Sequence, residues 1–342
     1  MIRTEIRSKI QAATPSTIRL SRTLLTTFAF LLIFAAANIQ LSAAQTANAP
    51  EVFSPGIISG PGNDGAPSFT PDGNTLFFTR STARWSVILE SHLANAQWSK
   101  PAVASFSGEW SDSSPAVAPD GSFVIFVSVR PVDPAAQDET SARKMASHIW
   151  RVNRQGSGWG APVQLPETVN FCPNIFRPSV AADGSIYFTA IEKGKELRLF
   201  RSLFQNGAYT KAEALSFSDG TIKDVDPEIA PDQSFMIFSS RRWPNDTVHE
   251  HLYIAYNKAG VWGDITPMHY SGDDANGSSD DNDPRLSPDH RTVYFSSDRS
   301  PAVHFPQTKA QAEENVQRME AWDNGNTNIW MMPLTPWPHV GS

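Results

Sequence analysis

Pro67-Ser-Phe-Thr-Pro-Asp-Gly73 sets a pattern that the chain repeats. It returns as Pro115-Ala-Val-Ala-Pro-Asp-Gly121, Pro178-Ser-Val-Ala-Ala-Asp-Gly184, Pro227-Glu-Ile-Ala-Pro-Asp-Gln233 and Pro284-Arg-Leu-Ser-Pro-Asp-His290, at intervals of 48, 63, 49 and 57 residues. The Pro-Asp-Gly element fixes one φ angle, offers an Asp side chain to the N–H groups of a turn, and follows it with a residue that accepts positive φ. A β-rich run ending in Phe comes next in every copy: Leu76-Phe-Phe78, Val124-Ile-Phe126, Ile186-Tyr-Phe188, Met236-Ile-Phe238 and Val293-Tyr-Phe295. Strand, tight turn and strand make a hairpin.

Each unit continues. A third run appears at Val87-Ile-Leu89, His148-Ile-Trp150, Leu197-Arg-Leu-Phe200, His251-Leu-Tyr253 and Asn328-Ile-Trp330. In the first four units an aromatic residue (Trp98, Trp159, Tyr209, Trp262) then opens a fourth strand. Prolines in these fourth strands suit an outer edge, where a missing N–H breaks no ladder bond. Four antiparallel strands repeated at a long, steady period specify a β-propeller. The expected fold is all-β, a five-bladed propeller over residues 45–342; the alternative is six blades, with a degenerate unit hidden in the long loops. The fifth unit runs out of chain after its third strand, so its fourth is expected from Val52-Phe-Ser-Pro-Gly-Ile-Ile58, closing the ring and removing an open seam.

The motif Pro-x-x-[Ser/Ala/Thr]-Pro-Asp-Gly, followed by a strand and Ser-x-Arg, resembles the WD40-like propeller repeat of the TolB type. Phe238-Ser-Ser-Arg241 and Phe295-Ser-Ser-Asp-Arg299 fit it well. The likeness runs over most of 50–338. It implies the propeller fold and a role in binding, and TolB itself is periplasmic. TolB carries a separate domain before a six-bladed ring, whereas five blades are counted here.

Residues 1–44 read as a targeting segment. Arg3, Arg7, Lys9, Arg19 and Arg22 precede an uncharged stretch from Thr23 to Ala44, and Ser42-Ala-Ala44 supplies the small residues of a cleavage site. An uncleaved anchor is the other reading, and membrane contact is then expected only through this segment. Either way the propeller is expected outside the cytoplasm, in the periplasm or beyond the cell. The net charge of −7 disfavours nucleic-acid binding, which needs clustered Lys and Arg. With Cys172 as the one cysteine, no intrachain disulfide can form, and no Cys–His cluster suggests zinc.

In a propeller the loops between blades share a face with the loops joining strands two and three. The long insertions Pro131–Ser147 and Ser300–Asn324 belong to that face, and Lys309–Trp322 has the composition of a short helix. The strand one-to-two turns on the other face are tight and promise little surface. Three residues before the repeat proline stand Asp64, Asp112, Asp224 and Asp281, with Ile175 breaking the pattern in the third unit. One residue before the proline stand Asp226 and Asp283; just after it come Glu228 and Arg285. These eight side chains form a candidate acidic collar and channel anchor for a cationic partner. The competing reading gives the aspartates to turn capping and Glu228–Arg285 to a structural ion pair. Asp273–Asp283 is the densest carboxylate run, and Asp273, Asp274, Asp280 and Asp281 are weak candidates for Ca²⁺, although the run does not fit the EF-hand spacing.

No Gly-x-Ser-x-Gly elbow marks a serine hydrolase. The expectation is therefore a binding module for a protein, peptide or envelope polymer, with no cofactor unless calcium orders the acidic loops. The alternative is a five-bladed glycoside hydrolase or lyase built on channel carboxylates.

Overall fold

The computed structural model describes residues 49–131, 146–244, 246–269 and 279–334. They form five antiparallel sheets arranged as successive blades. The ring opens with β1 (Glu51–Val52). The first blade holds β2 (Asn63–Phe69), β3 (Thr75–Ser81), β4 (Ser86–Ala94), β5 (Gln97–Trp98) and β6 (Ala102–Val103). The second holds β7 (Asp112–Val117), β8 (Phe123–Ser128), β9 (His148–Gln155), β10 (Gly158–Trp159) and β11 (Val163–Gln164). The third holds β12 (Ile175–Val180), β13 (Ile186–Ala190), β14 (Arg198–Ser202), the small hairpin β15 (Phe204–Gln205) and β16 (Ala208–Tyr209), and β17 (Glu213–Ala214). The fourth is β18 (Asp224–Ile229), β19 (Phe235–Ser240), β20 (His251–Lys258) and β21 (Val261–Pro267). The fifth is β22 (Asp281–Leu286), β23 (Thr292–Ser297) and β24 (Asn328–Pro333), completed by β1.

The expected closure is present. Glu51 pairs with Met331 and Val52 with Trp330, and the Phe53 N–H donates to the Ile329 carbonyl at 2.8 Å. Every Pro-Asp-Gly element forms the turn between the first two strands of its blade. Asp72, for example, accepts from the Thr70 hydroxyl at 2.6 Å and the Asn74 N–H at 3.0 Å. One expectation changes. In the first three blades the fourth strand is not continuous but splits into two short pieces: Pro101 and Pro162 have no N–H to donate, and the Ala212 N–H donates to the Thr168 carbonyl at 2.8 Å.

Burial explains the sequence pattern. Second strands such as β8 and β19 are buried at every position, since a blade is covered on both faces by its neighbours. The described apolar core divides into five clusters, one at each junction between adjacent blades. The fourth-strand aromatics serve these junctions. Trp159 meets Phe77 of the preceding blade at 5.8 Å, Trp262 meets Tyr187 at 6.0 Å, and Trp98 meets Phe53 at 5.9 Å. Cys172 is half-buried against the junction of blades two and three, and burial pushes its thiol above the ordinary value.

The insertion before β24 carries one helix, α1 (Lys309–Arg318), shorter than the 309–322 stretch expected. Thr308 caps it in a reciprocal arrangement with Gln311, and none of its residues is buried. Asn324 and Asn326 tie the insertion to the Pro61 carbonyl at 3.0 and 2.8 Å. The insertion in the second blade lies mostly outside the described residues. Among those residues no helix is long and apolar enough to cross a membrane.

Candidate functional site

The structure sorts the eight sequence-selected residues into three layers. The first is the collar. Asp64, Asp112, Asp224 and Asp281 are each at most 2% exposed, and each is covered by an arginine. Arg80 meets Asp64 at 2.6 Å, Arg130 meets Asp112 at 3.0 Å, Arg242 meets Asp224 at 2.5 Å and Arg299 meets Asp281 at 2.6 Å. Three of these arginines also donate to a carbonyl in the loop entering the blade: Arg80 to Ile58, Arg130 to Phe106 and Arg242 to Phe217. Three of the guanidiniums pack over a Phe of the second strand: Arg80 over Phe78 at 5.8 Å, Arg130 over Phe126 at 5.1 Å and Arg299 over Phe295 at 5.4 Å. The collar expected to face a partner is thus neutralised from within. The sequence held part of the signal: Arg130, Arg242 and Arg299 each end a Ser-x-Arg step, Arg80 follows Phe78-Thr79 instead, and the third blade lacks both partners, having Ile175 for the aspartate and no arginine in the matching position after β13.

The second layer is a ring of bulges. All five inner strands slip register between the residue after the collar position and the residue after the proline. The residue before each proline takes the left-handed conformation: Ala66 (φ 48°), Ser114 (51°), Arg177 (52°), Asp226 (59°) and Asp283 (52°). A side-chain-bearing residue there costs on the order of 1 kcal/mol. Bonds to the preceding blade offset it. The Ser114, Asp226 and Ala66 N–H groups donate to the hydroxyls of Thr79, Thr189 and Ser296 at 2.9, 2.8 and 3.1 Å. The Asp283 N–H donates to Asp226 Oδ2 at 3.2 Å instead. Gly65 is forced by this ring, because a Cβ there would lie 2.5 Å from Ser296 Oγ.

Three ring members carry charge and meet at the channel mouth. Arg177 forms a close ion pair with Asp283, and its Nε lies 3.8 Å from Asp226 Oδ1. Sequence reasoning missed Arg177, although it occupies in the third blade the position of Asp226 and Asp283. Burial raises the Asp226 carboxyl above its ordinary 3.8, with Arg177 opposing the shift. The folded state therefore holds this proton more tightly than the unfolded chain. Its effect on stability is an advantage at low pH, lost as pH climbs from 3.8 through the raised value and constant above it. Replacing Asp226 with Asn removes this dependence. Calorimetry between about pH 4 and 7 should show wild type losing melting temperature relative to D226N as pH rises; parallel curves would refute the shift.

The third layer crosses the channel wall. Arg285 approaches Glu228 at 3.4 Å and donates to the Pro178 and Pro284 carbonyls. Burial raises Glu228 and lowers Arg285, each opposed by the other's charge. Glu228 also accepts from the Leu286 N–H at 2.9 Å. Ser68 and Ser179 accept from Val117 and Ile229 in the same way, so Glu228 braces one blade on the next.

Asp280 is engaged as well, accepting from the Glu250 N–H at 2.8 Å, while Asp273 and Asp274 lie outside the described residues. Among those described, no group of three or more His, Cys, Asp or Glu side chains is placed to hold a metal ion. The histidines, scattered in sequence, partly converge: His249 and His251 both meet Asp246, at 3.0 and 3.2 Å.

Two cavities open on the channel. The turn face, expected to offer little, holds about 340 Å³ bordered by Pro71, Pro119, Pro231 and Pro288, with Glu228 and Arg285 in its wall. The loop face holds about 470 Å³, with Arg177 and Asp283 in its wall, Ser and Asn side chains around them, and Trp85.

No protein-family model matches this sequence, and no curated protein matches it. Solved structures do. TolB from Acinetobacter baumannii is 20% identical over 61% of this chain and 44% of its own, with a TM-score of 0.40. A putative TolB from Agrobacterium tumefaciens is 16% identical over 80% and 91%, with a TM-score of 0.46. TolB propellers are among the structures this chain resembles. So is an α-L-arabinofuranosidase from Podospora anserina, 9% identical over 81% and 94%, with a TM-score of 0.48. This chain spans less than half of the Acinetobacter TolB, and the likeness is one of fold.

Proposed function

We propose that this chain is an exported binding module that takes a protein, peptide or envelope polymer at the loop-face mouth of its channel. The observation that carries the reading is the cavity of about 470 Å³ on the face bearing the inter-blade loops. Its size lies within the range of ligand sites, about 300–1,000 Å³. The charges at this mouth balance: Asp64 is paired with Arg80, Asp226 and Asp283 hold Arg177 between them, and Arg84 is exposed at the rim. Such a wall orients a ligand without a strong pull on either sign of charge. A glycosidase would need two accessible carboxylates at a working separation. Asp226 and Asp283 are each 4% exposed and hold Arg177 between them, which favours recognition over hydrolysis.

Ser113 offers the test, being half-exposed in the cavity wall with no side-chain bond to lose. Ser113→Trp fills the mouth and leaves the ion pairs in place. Wild type and S113W, both confirmed folded by circular dichroism, are used to capture material from an envelope extract, and the captured species is purified and rebound. A partner rebound by wild type and at least about tenfold more weakly by S113W, a difference of 1.4 kcal/mol, is the expected result. Equal rebinding by both would move the site to the 300–324 insertion or the outer edges.

A further inference from the structure

Around the loop-face mouth, folding engages some polar side chains and leaves others with nothing to do. Ser86 and Ser111 are engaged: Ser111 Oγ accepts from the Ser86 N–H at 2.9 Å and meets Ser86 Oγ at 2.9 Å. Ser81, Ser113 and Asn282 line the same cavity, half-exposed, and their side chains make no hydrogen bond among the described residues. All are uncharged, and together they offer both donors and acceptors.

Trp85 is the apolar counterpart. It lines the cavity and is 55% exposed, whereas Trp150, Trp243 and Trp262 are each below 8%. Its backbone is fixed nonetheless. The Thr82 N–H donates to the Trp85 carbonyl at 2.9 Å, the Arg84 N–H donates to Thr82 Oγ1 at 3.2 Å, and Ser86 follows at once. A rigid turn thus holds an indole face in water, where it supports no described junction cluster. The formal charges gathered at the mouth cancel, with Asp64, Asp226 and Asp283 against Arg80, Arg84 and Arg177. A cationic peptide or a phosphate would gain little from such a wall.

A flat apolar plate beside a rim of neutral hydroxyl and amide groups matches one ligand chemistry well. A sugar ring has an apolar C–H face that packs against an indole and an equatorial belt of hydroxyls that bond to Ser and Asn. We propose that the mouth is a carbohydrate site for an uncharged oligosaccharide segment, with Trp85 as the stacking platform and Ser81, Ser113 and Asn282 as hydroxyl partners. This rests on the reading of the mouth as the binding site and narrows its ligand to a saccharide.

The test is an array of immobilised neutral oligosaccharides (glucose, xylose, arabinose and N-acetylglucosamine types), with basic peptides as a second arm. Hits are followed by tryptophan-fluorescence titration of wild type, Trp85→Ala, Trp85→Phe and Asn282→Ala. At its exposure Trp85 can be truncated without opening the core. The expected result is binding of at least one glycan, weakened about tenfold or more in W85A and largely kept in W85F, with no peptide bound. Glycan binding that W85A leaves unchanged overturns the assignment. If no glycan binds while an extract partner is lost from S113W, the mouth is a binding site for something else. If no glycan binds and S113W captures as wild type does, the saccharide proposal and the broader reading fall together.

Discussion

Asp112→Ala is expected to lower unfolding free energy by about 3–5 kcal/mol, the range for breaking one side of a buried ion pair. Asp112 is fully buried and accepts from Ser107 Oγ at 2.9 Å, the Gly108 N–H at 3.2 Å and Arg130 at 3.0 Å. Removing it leaves Arg130, 9% exposed, with its charge uncompensated inside the ring, and frees two donors of the entering loop. Urea titration followed by tryptophan fluorescence reads the loss directly. The third blade supplies the control, for there the same position is Ile175, fully buried and without an arginine opposite. The double variant Asp112→Ile with Arg130→Leu should accordingly recover most of the stability that the single change loses. A loss below 1 kcal/mol in D112A, within the range of exposed pairs, would mean that the collar pairs are superficial.

Phe53→Ala is the second large expectation, at about 3–5 kcal/mol for emptying a buried aromatic site. Phe53 follows the closing strand β1 and is 8% exposed. Its ring meets Tyr294 of the fifth blade at 5.1 Å, and Phe69 and Trp98 of the first at 6.1 and 5.9 Å. One side chain therefore links the last blade to the first. Its loss should broaden the thermal transition as well as lower it, since an opened ring exposes two blade edges. A sharp transition at an unchanged midpoint would show that closure rests on the backbone pairs of β1 alone.

Much of this architecture was legible because the repeat is periodic and its turn chemistry is local. Pro-Asp-Gly fixes each hairpin through bonds between near neighbours, so five copies specify five blades. Closure was legible because a missing fourth strand leaves a vacancy that only one remaining segment can fill. The site was harder. The collar aspartates and their arginines lie 16 to 18 residues apart and touch only once the hairpin has formed. Arg177 was overlooked because its repeat position holds Ala, Ser, Arg, Asp and Asp, and no pattern of type marks it. Its role depends on which blades face one another across the channel. Trp85 had no repeat partner at all; its exposure, a property of the folded surface, is what singles it out.

The ring closure also governs the order in which the chain can finish folding. Ser59, just beyond the closing strand, bonds through its hydroxyl to the Ile329 carbonyl, 270 positions away. Blades one to four are each assembled from neighbouring sequence and can form in turn as the polypeptide lengthens. The closing strand β1, made before the first blade, must nevertheless wait for β24, made after the fourth. During that interval Phe53 and the face of the first blade that packs against the fifth stay uncovered. Contacts of such long separation form slowly and leave sticky surface exposed meanwhile. The time between completion of the fourth blade and arrival of β24 is thus the vulnerable period in the life of this protein, when a chaperone would protect it most.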